Sequence, residues 1–285
     1  MHTDSPADLI LHRCPNDGCR EQNLLVRDTP DDQFCWACRG PIFPSDCLRI
    51  WEAVEEFQPN SEAINRAMMT TEHLLPVHHI RYLAENSLSS LGTTAFFVDG
   101  PLAVFGNSAW LHGSIMRFLS EVNERLLAVG HRRIVMIGLQ KSGQVVDHAE
   151  LMSRFLPDDR IFCIDDAYRY KYILSGREEA GNGFGYESYY GQDFIFKTPT
   201  GIVFVLGIPH PFPTKHPVDL DFKQAKADIE NYDSLATVLA LIRHFESDLY
   251  KNAIVPIALA HRYTAISLVP GGRVLDVLTV RGLSR

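Results

Sequence analysis

The sequence predicts an α/β domain preceded by a small cysteine-rich ribbon, and three observations carry that prediction. Phe96–Val98, Ile134–Leu139, Ile161–Ile164 and Ile202–Ile208 are short runs rich in aromatic and β-branched residues, the signature of buried strands. Between them lie stretches whose apolar residues recur at helical spacing, such as Ile115, Phe118, Leu119, Val122 and Leu126. Near the N-terminus, four cysteines fall in two close pairs.

The cysteine pattern is Cys14-x4-Cys19, an intervening polar stretch, then Cys35-x2-Cys38. Each pair sits on a tight turn, with Pro15, Asp17 and Gly18 in the first and Gly40 and Pro41 after the second, so both sulfurs of a pair can face one ion. Leu24-Leu25-Val26 can form one short strand between them. Such a module has almost no core, and metal binding supplies its folding energy. The expectation is a structural zinc held by Cys14, Cys19, Cys35 and Cys38 over residues 1–47, with His12 and Cys47 unnecessary as ligands. Residues 48–285 then form the main domain.

At 285 residues and 46% hydrophobic content the chain can bury a full core. No apolar run reaches the roughly 18 residues that span a bilayer, and the N-terminus lacks the basic-then-apolar order of a signal peptide, so the expectation is a cytoplasmic protein without membrane contact. Six cysteines there suggest metal ligands or buried thiols before disulfides. A formal net charge of −8 excludes a protein that coats nucleic acid through many basic contacts; it does not exclude a nuclease.

After Pro41–Asp46, a rigid connector, Leu48 to Phe57 has helix-compatible spacing. Glu62 to Leu88 reads as one long helix or a pair kinked at Pro76. It carries Glu72, His73, His78, His79 and Glu85; Glu72, flanked by Met68, Leu74 and Leu75, reads as a buried carboxylate. The next strand ends in Asp99-Gly100-Pro101. Its carboxylate either caps the turn, as Asp before Gly commonly does, or binds a cation at the mouth of a sheet. The strand to Leu139 ends in Gln140-Lys141-Ser142-Gly143 before a helix. That resembles a phosphate-binding turn without being a P-loop, and Lys141 is either a phosphate contact or a solvated lysine.

Ile161–Ile164 ends in Asp165-Asp166, repeating the design of a strand closed by carboxylates and making a convergent acidic site the expectation. Tyr168–Leu174 reads as a helix and Ser175–Gly185 as a glycine-rich loop. Tyr186, Tyr189 and Tyr190, near Arg177 and Lys197, could stack bases or could simply pack on the core. Asp193–Lys197 and Ile202–Ile208 form a hairpin, Asp233–Asp248 a helix, Pro256–Ile266 a further helix carrying His261, and Arg273–Val280 a last strand.

Taken in order, Val98-Asp99-Gly100-Pro101-Leu102, Gly138-Leu139-Gln140-Lys141-Ser142-Gly143, Asp165-Asp166-Ala167-Tyr168, Tyr190-Gly191-Gln192-Asp193-Phe194 and Leu259-Ala260-His261 resemble the motifs of the NurA nucleases, over most of Trp51 to Leu283. The resemblance implies an RNase H-like domain, a mixed sheet flanked by helices, with Mn2+- or Mg2+-dependent cleavage of DNA. It also implies a homodimer that works with a HerA-type hexameric ATPase in DNA end resection or anti-phage defence. It places Asp99, Glu72 and His261 at the catalytic metal; Lys141, as a candidate phosphate contact, joins them in the expected catalytic set. Glu85 is the alternative helix glutamate, and Asp165, Asp166 and Tyr190 are further candidates. The family's first strand, which carries an Asp-Gly-Ser motif, has no counterpart before the ribbon. The expectation is therefore a longer protein, a strand from another chain, or a non-cutting assembly subunit.

Overall fold

The computed structural model describes residues 8–27, 33–54, 60–176, 181–216, 221–247 and 254–264. The ribbon contains two antiparallel strands rather than one, β1 (Asp8–Arg13) and β2 (Gln22–Arg27), paired from Asp8 with Arg27 to Arg13 with Gln22. A strand thus does lead into the first cysteine, but it belongs to the ribbon and carries no Asp-Gly. Among the described residues of Leu48–Phe57 the expected helix is absent: the chain makes two 3-10 turns, Pro44–Leu48 and Ile50–Ala53, with a left-handed Arg49 between them that stops propagation.

The main sheet has five strands: β3 (Ala95–Asp99), β4 (Val135–Gln140), β5 (Arg160–Cys163), β6 (Gly191–Lys197) and β7 (Val203–Pro209). Their spatial order is β3-β4-β7-β6-β5; β3 and β4 run parallel and every other neighbouring pair antiparallel. The fold is therefore mixed α/β. The hairpin β6–β7 closes through Thr198 to Ile202 with Gly201 at φ +89°, where glycine has no steric cost.

Strand alternation sorts side chains to two helical layers. On one face Val98 and Met136 pack with α1 (Ser61–Asn86), the short α2 (Leu88–Leu91) and α3 (Leu111–Ala128), while Ile195 and Val205 pack with α4 (Gln144–Met152). On the other, Ile137, Leu139, Phe194, Phe196 and Leu206 pack with α7 (Leu235–Phe245) and α8 (Val255–Thr264), through Val238, Ile242 and Ile257. α1 runs unbroken through Pro76, because a long buried stripe including His73, Ile80 and Ala84 holds both halves against one core. The chain after β5 is helical from Asp166 to Ile173, as one α turn, α5 (Asp166–Tyr168), followed by a π-helical turn at Arg169–Ile173, close to the helix expected at Tyr168–Leu174; α6 (Phe222–Ala227) follows β7. The expected strand Arg273–Val280 and Arg177 lie outside the described residues.

Beyond Asp99 the chain turns at Gly100, φ +136°, and lays Leu102 across the sheet over Gly138, Gly207 and Gly191. A Cβ on Gly138 would stand 2.6 Å from the Gly100 carbonyl oxygen, and one on Gly191 would stand 2.8 Å from Leu102 Cβ. Backbone bonds from Val104 N–H to Ser188 O and from Tyr190 N–H to Leu102 O, both 2.9 Å, tie this crossing segment down.

Candidate functional site

Asp99 is the last residue of edge strand β3 and sits on the same face as Leu139 and, one step further by alternation, Lys141. The Lys141 ammonium donates to Asp99 Oδ2 at 2.8 Å. His261, on the last described helix, lies on that face too, with Nε2 2.6 Å from Asp99 Oδ2 and 2.7 Å from Lys141 Nζ. Three residues spread over more than 160 positions thus meet at one oxygen. When Nε2 carries the proton it donates to Asp99; when it does not, it accepts from Lys141.

Glu72 comes from α1, on the opposite helical layer. Partial desolvation first, and the negative charge of Asp99 second, push its carboxyl above the usual carboxylate range, with His261 pulling the other way. Glu72 thus feels the charges of Asp99 and His261. It is not within 4.8 Å of both Asp99 and His261, since among the described residues only the four cysteines form so close a group of metal-ligand types.

The remaining candidates go elsewhere. Glu85 is exposed and paired with Arg81 along the helix at 2.9 Å. Tyr190 is fully buried and bonds the His73 ring nitrogen Nδ1 at 2.7 Å, so it packs instead of facing a substrate. Asp165 caps α5 by accepting from Tyr168 N–H at 2.7 Å. Asp166 is buried against Lys226 at 2.7 Å. The convergence expected of the two acidic strand ends does not occur: β3 and β5 are the two edges of the sheet, four strand spacings or roughly 19 Å apart. Tyr189 is largely buried too, in edge contact with Phe184 and Phe105, and Lys197 donates to the Ser153 and Leu156 carbonyls.

The ribbon cysteines form the second site. Their four sulfurs all lie within 4.8 Å of one another, with Cys14–Cys38 and Cys19–Cys35 separations of 3.8 Å. A tetrahedron with metal–sulfur bonds of about 2.3 Å has edges of about 3.8 Å, so this group could bind a metal such as zinc. Asn16 Nδ2 at 3.3 Å from Cys14 Sγ and Gly40 N–H at 3.4 Å from Cys38 Sγ supply the outer hydrogen bonds that orient thiolates.

No protein-family model, no curated protein and no solved structure matches the chain. Among the described residues no helix is long and apolar enough to cross a membrane.

Sequence reasoning missed a buried polar cluster behind the site. Asp193, 1% exposed, accepts from Gln140 Nε2 at 2.8 Å and from Arg169 Nη2 at 2.7 Å. The available signal was a charged residue, Asp193, set directly before the apolar run Phe194–Phe196; nothing marked Arg169 as its buried partner.

His73 carries a pH prediction. Burial pushes its pKa down to about 4, so the folded state resists a proton that the unfolded chain accepts near 6.5. A base depressed on folding contributes least at acid pH. Stability should fall as pH drops from about 6.5 to about 4, by up to about 3 kcal/mol from this group. Urea titrations of the wild type and His73→Gln across that range should converge as pH falls; an unchanged gap between them would remove His73 as the cause.

Proposed function

We propose that this chain is a metal-dependent DNA nuclease of the NurA type, its RNase H-like domain carrying the chemistry and its ribbon holding a structural zinc. The observation that carries the reading is the meeting of Asp99, Lys141 and His261 within 2.8 Å, from three segments far apart in sequence, with the charges of Asp99 and His261 reaching Glu72 on a fourth. Two carboxylates and an imidazole suit Mn2+ or Mg2+, so the donor types fit such an ion, held by Asp99, Glu72 and His261. Bound there, the ion would supply Lewis-acid polarisation of a phosphodiester and a more acidic water.

The chain's own residues supply the rest. Lys141, held by Asp99, presents a positive charge to a phosphate oxygen. His261 Nε2, able to donate or accept at the same spot, can move the proton that the attacking water loses or the leaving oxygen gains. The partial exposure of Asp99 and His261 leaves the trio open to a strand end. A homodimer acting on DNA with a HerA-type hexameric ATPase in the cytoplasm, in end resection or anti-phage defence, completes the proposal. A second reading, an assembly subunit that scaffolds the ATPase without cutting, is favoured by one observation: the Lys141 ammonium already occupies Asp99, and no third carboxylate approaches it among the described residues.

The deciding assay incubates the purified chain with single-stranded and end-exposed DNA, with Mn2+ or with EDTA, alone and with the hexameric ATPase. Cleavage is expected only in the Mn2+ arms. Intact DNA in every arm would discard the nuclease and leave the scaffold.

A further inference from the structure

The second cysteine pair of the ribbon sits on a short hairpin whose outer face is apolar. Phe34 pairs directly with Pro41 in antiparallel register, and bonds from Cys35 N–H to Gly40 O and from Ile42 N–H to Gln33 O, both 2.9 Å, hold the two sides together. Alternation along each side turns Cys35 and Ile42 into the ribbon's buried cluster and their flanking residues outward. Phe34 is 52% exposed, Trp36 65% and Phe43 56%, and Pro41 between them is exposed too.

Three aromatic rings and a proline thus share one solvent-facing surface, and none of them belongs to the buried cluster or to the cysteine group. So many rings concentrated on the outside of a small module mark an interaction surface, since exposed apolar patches on monomers are normally small and scattered.

Charge selects the occupant. Arg39, exposed, follows the turn at the closed end of the hairpin, three residues past Trp36. Asp46 stands at the open end, where its Oδ2 accepts from Phe43 N–H at 2.7 Å. A face with an apolar middle, a cation at one end and an anion at the other is complementary to itself. Turned about a two-fold axis, Arg39 of each copy meets Asp46 of the other while rings pack on rings. Nucleic acid fits less well: residues 1–47 hold eight Asp and Glu against four Arg, so the module repels a phosphate backbone.

We propose that this face closes the homodimer, with a second copy of the chain as its occupant and Phe34, Trp36, Pro41 and Phe43 of each ribbon packed against the same four residues of the other. The inference deepens the homodimer part of the proposed function and rests on it; the nuclease chemistry does not enter. Because the ribbon folds around its metal, the dimer depends on that metal as well.

Sedimentation equilibrium of the full chain, purified with its zinc, should show a dimer over about 1–100 µM. Trp36→Ser and Phe43→Ser should each raise the dissociation constant by roughly 30-fold or more while the zinc content stays as in the wild type, because both side chains face solvent in the single chain. Arg39→Glu should raise it by roughly tenfold. Leu75→Ser, at an exposed apolar position of α1 in the main domain, should leave it unchanged. A dimer that persists in Trp36→Ser, or one that Leu75→Ser dissolves, overturns the ribbon face and leaves the homodimer standing. A wild type that is monomeric at every concentration overturns both. Binding of an oligothymidylate by the wild type and not by Trp36→Ser would assign the rings to single-stranded DNA and overturn the second copy as their occupant.

Discussion

Asp99→Asn should abolish Mn2+-dependent cleavage, by at least about 10³-fold in kcat, while leaving the fold as it is. The reason is that one carboxylate oxygen organises the whole site. Asp99 Oδ2 receives Lys141 and His261 together, and its charge reaches Glu72. The amide keeps the shape and can still accept one hydrogen bond, but it has no charge with which to hold an ammonium or a divalent ion. Asp99 is about one third exposed, so the lost ion pairs cost little stability, of the order of 0–1 kcal/mol each. Activity and melting should therefore separate. Lys141→Met offers a graded comparison, since it removes the proposed phosphate contact but leaves both carboxylates, and a smaller loss is expected. Full activity in Asp99→Asn, assayed beside an unchanged Tm, would take Asp99 out of the mechanism.

Stripping metal from the ribbon should unfold it while the five-stranded domain persists. Its buried cluster comprises Leu11, Cys14, Leu24, Val26, Cys35, Ile42 and Cys47, and two of these seven are ligands in the four-cysteine group. A core that small is far short of offsetting chain entropy, whereas structural zinc contributes about 10–16 kcal/mol of apparent binding energy. Metal analysis should return about one zinc per chain. Chelator or Cys35→Ser should remove the β1–β2 amide protection seen by hydrogen exchange, along with the contact of Arg13 with the Trp51 ring, whose centroid lies at 5.0 Å. Metal-free protein, purified without chelator and still protecting β1 and β2, would sink the assignment.

Residue patterns made the strands legible because each is a short apolar run closed by a turn residue. The ribbon was legible because paired cysteines on turns have few other uses. Which strand ends meet was not. Asp99 and Asp165–Asp166 look alike in sequence, and only the order β3-β4-β7-β6-β5 sends them to opposite edges. Local propensity misled at Leu48–Phe57, where a left-handed Arg49 divides the described part into two 3-10 turns. Arg169 gave no sign of burial, since a cation in a short helical segment is usually solvated; its partner Asp193 comes from β6, brought there by tertiary packing.

The segment that carries Leu102 across Gly138, Gly207 and Gly191 bears on how this chain can change over time. Those three positions, on three different strands, are committed jointly, because a methyl group at Gly138 or Gly191 would press on the crossing segment. A substitution there is felt through the main chain at Gly100, next to Asp99. The positions with least freedom to vary thus include ones that bear no functional group, and drift at any one of them is constrained by the other two. By contrast, exposed positions around His261 on its helix, such as Leu259 and Tyr263, touch neither the sheet nor the crossing segment. Variation should therefore collect at such exposed positions and be scarce at the glycines that set where the carboxylate stands.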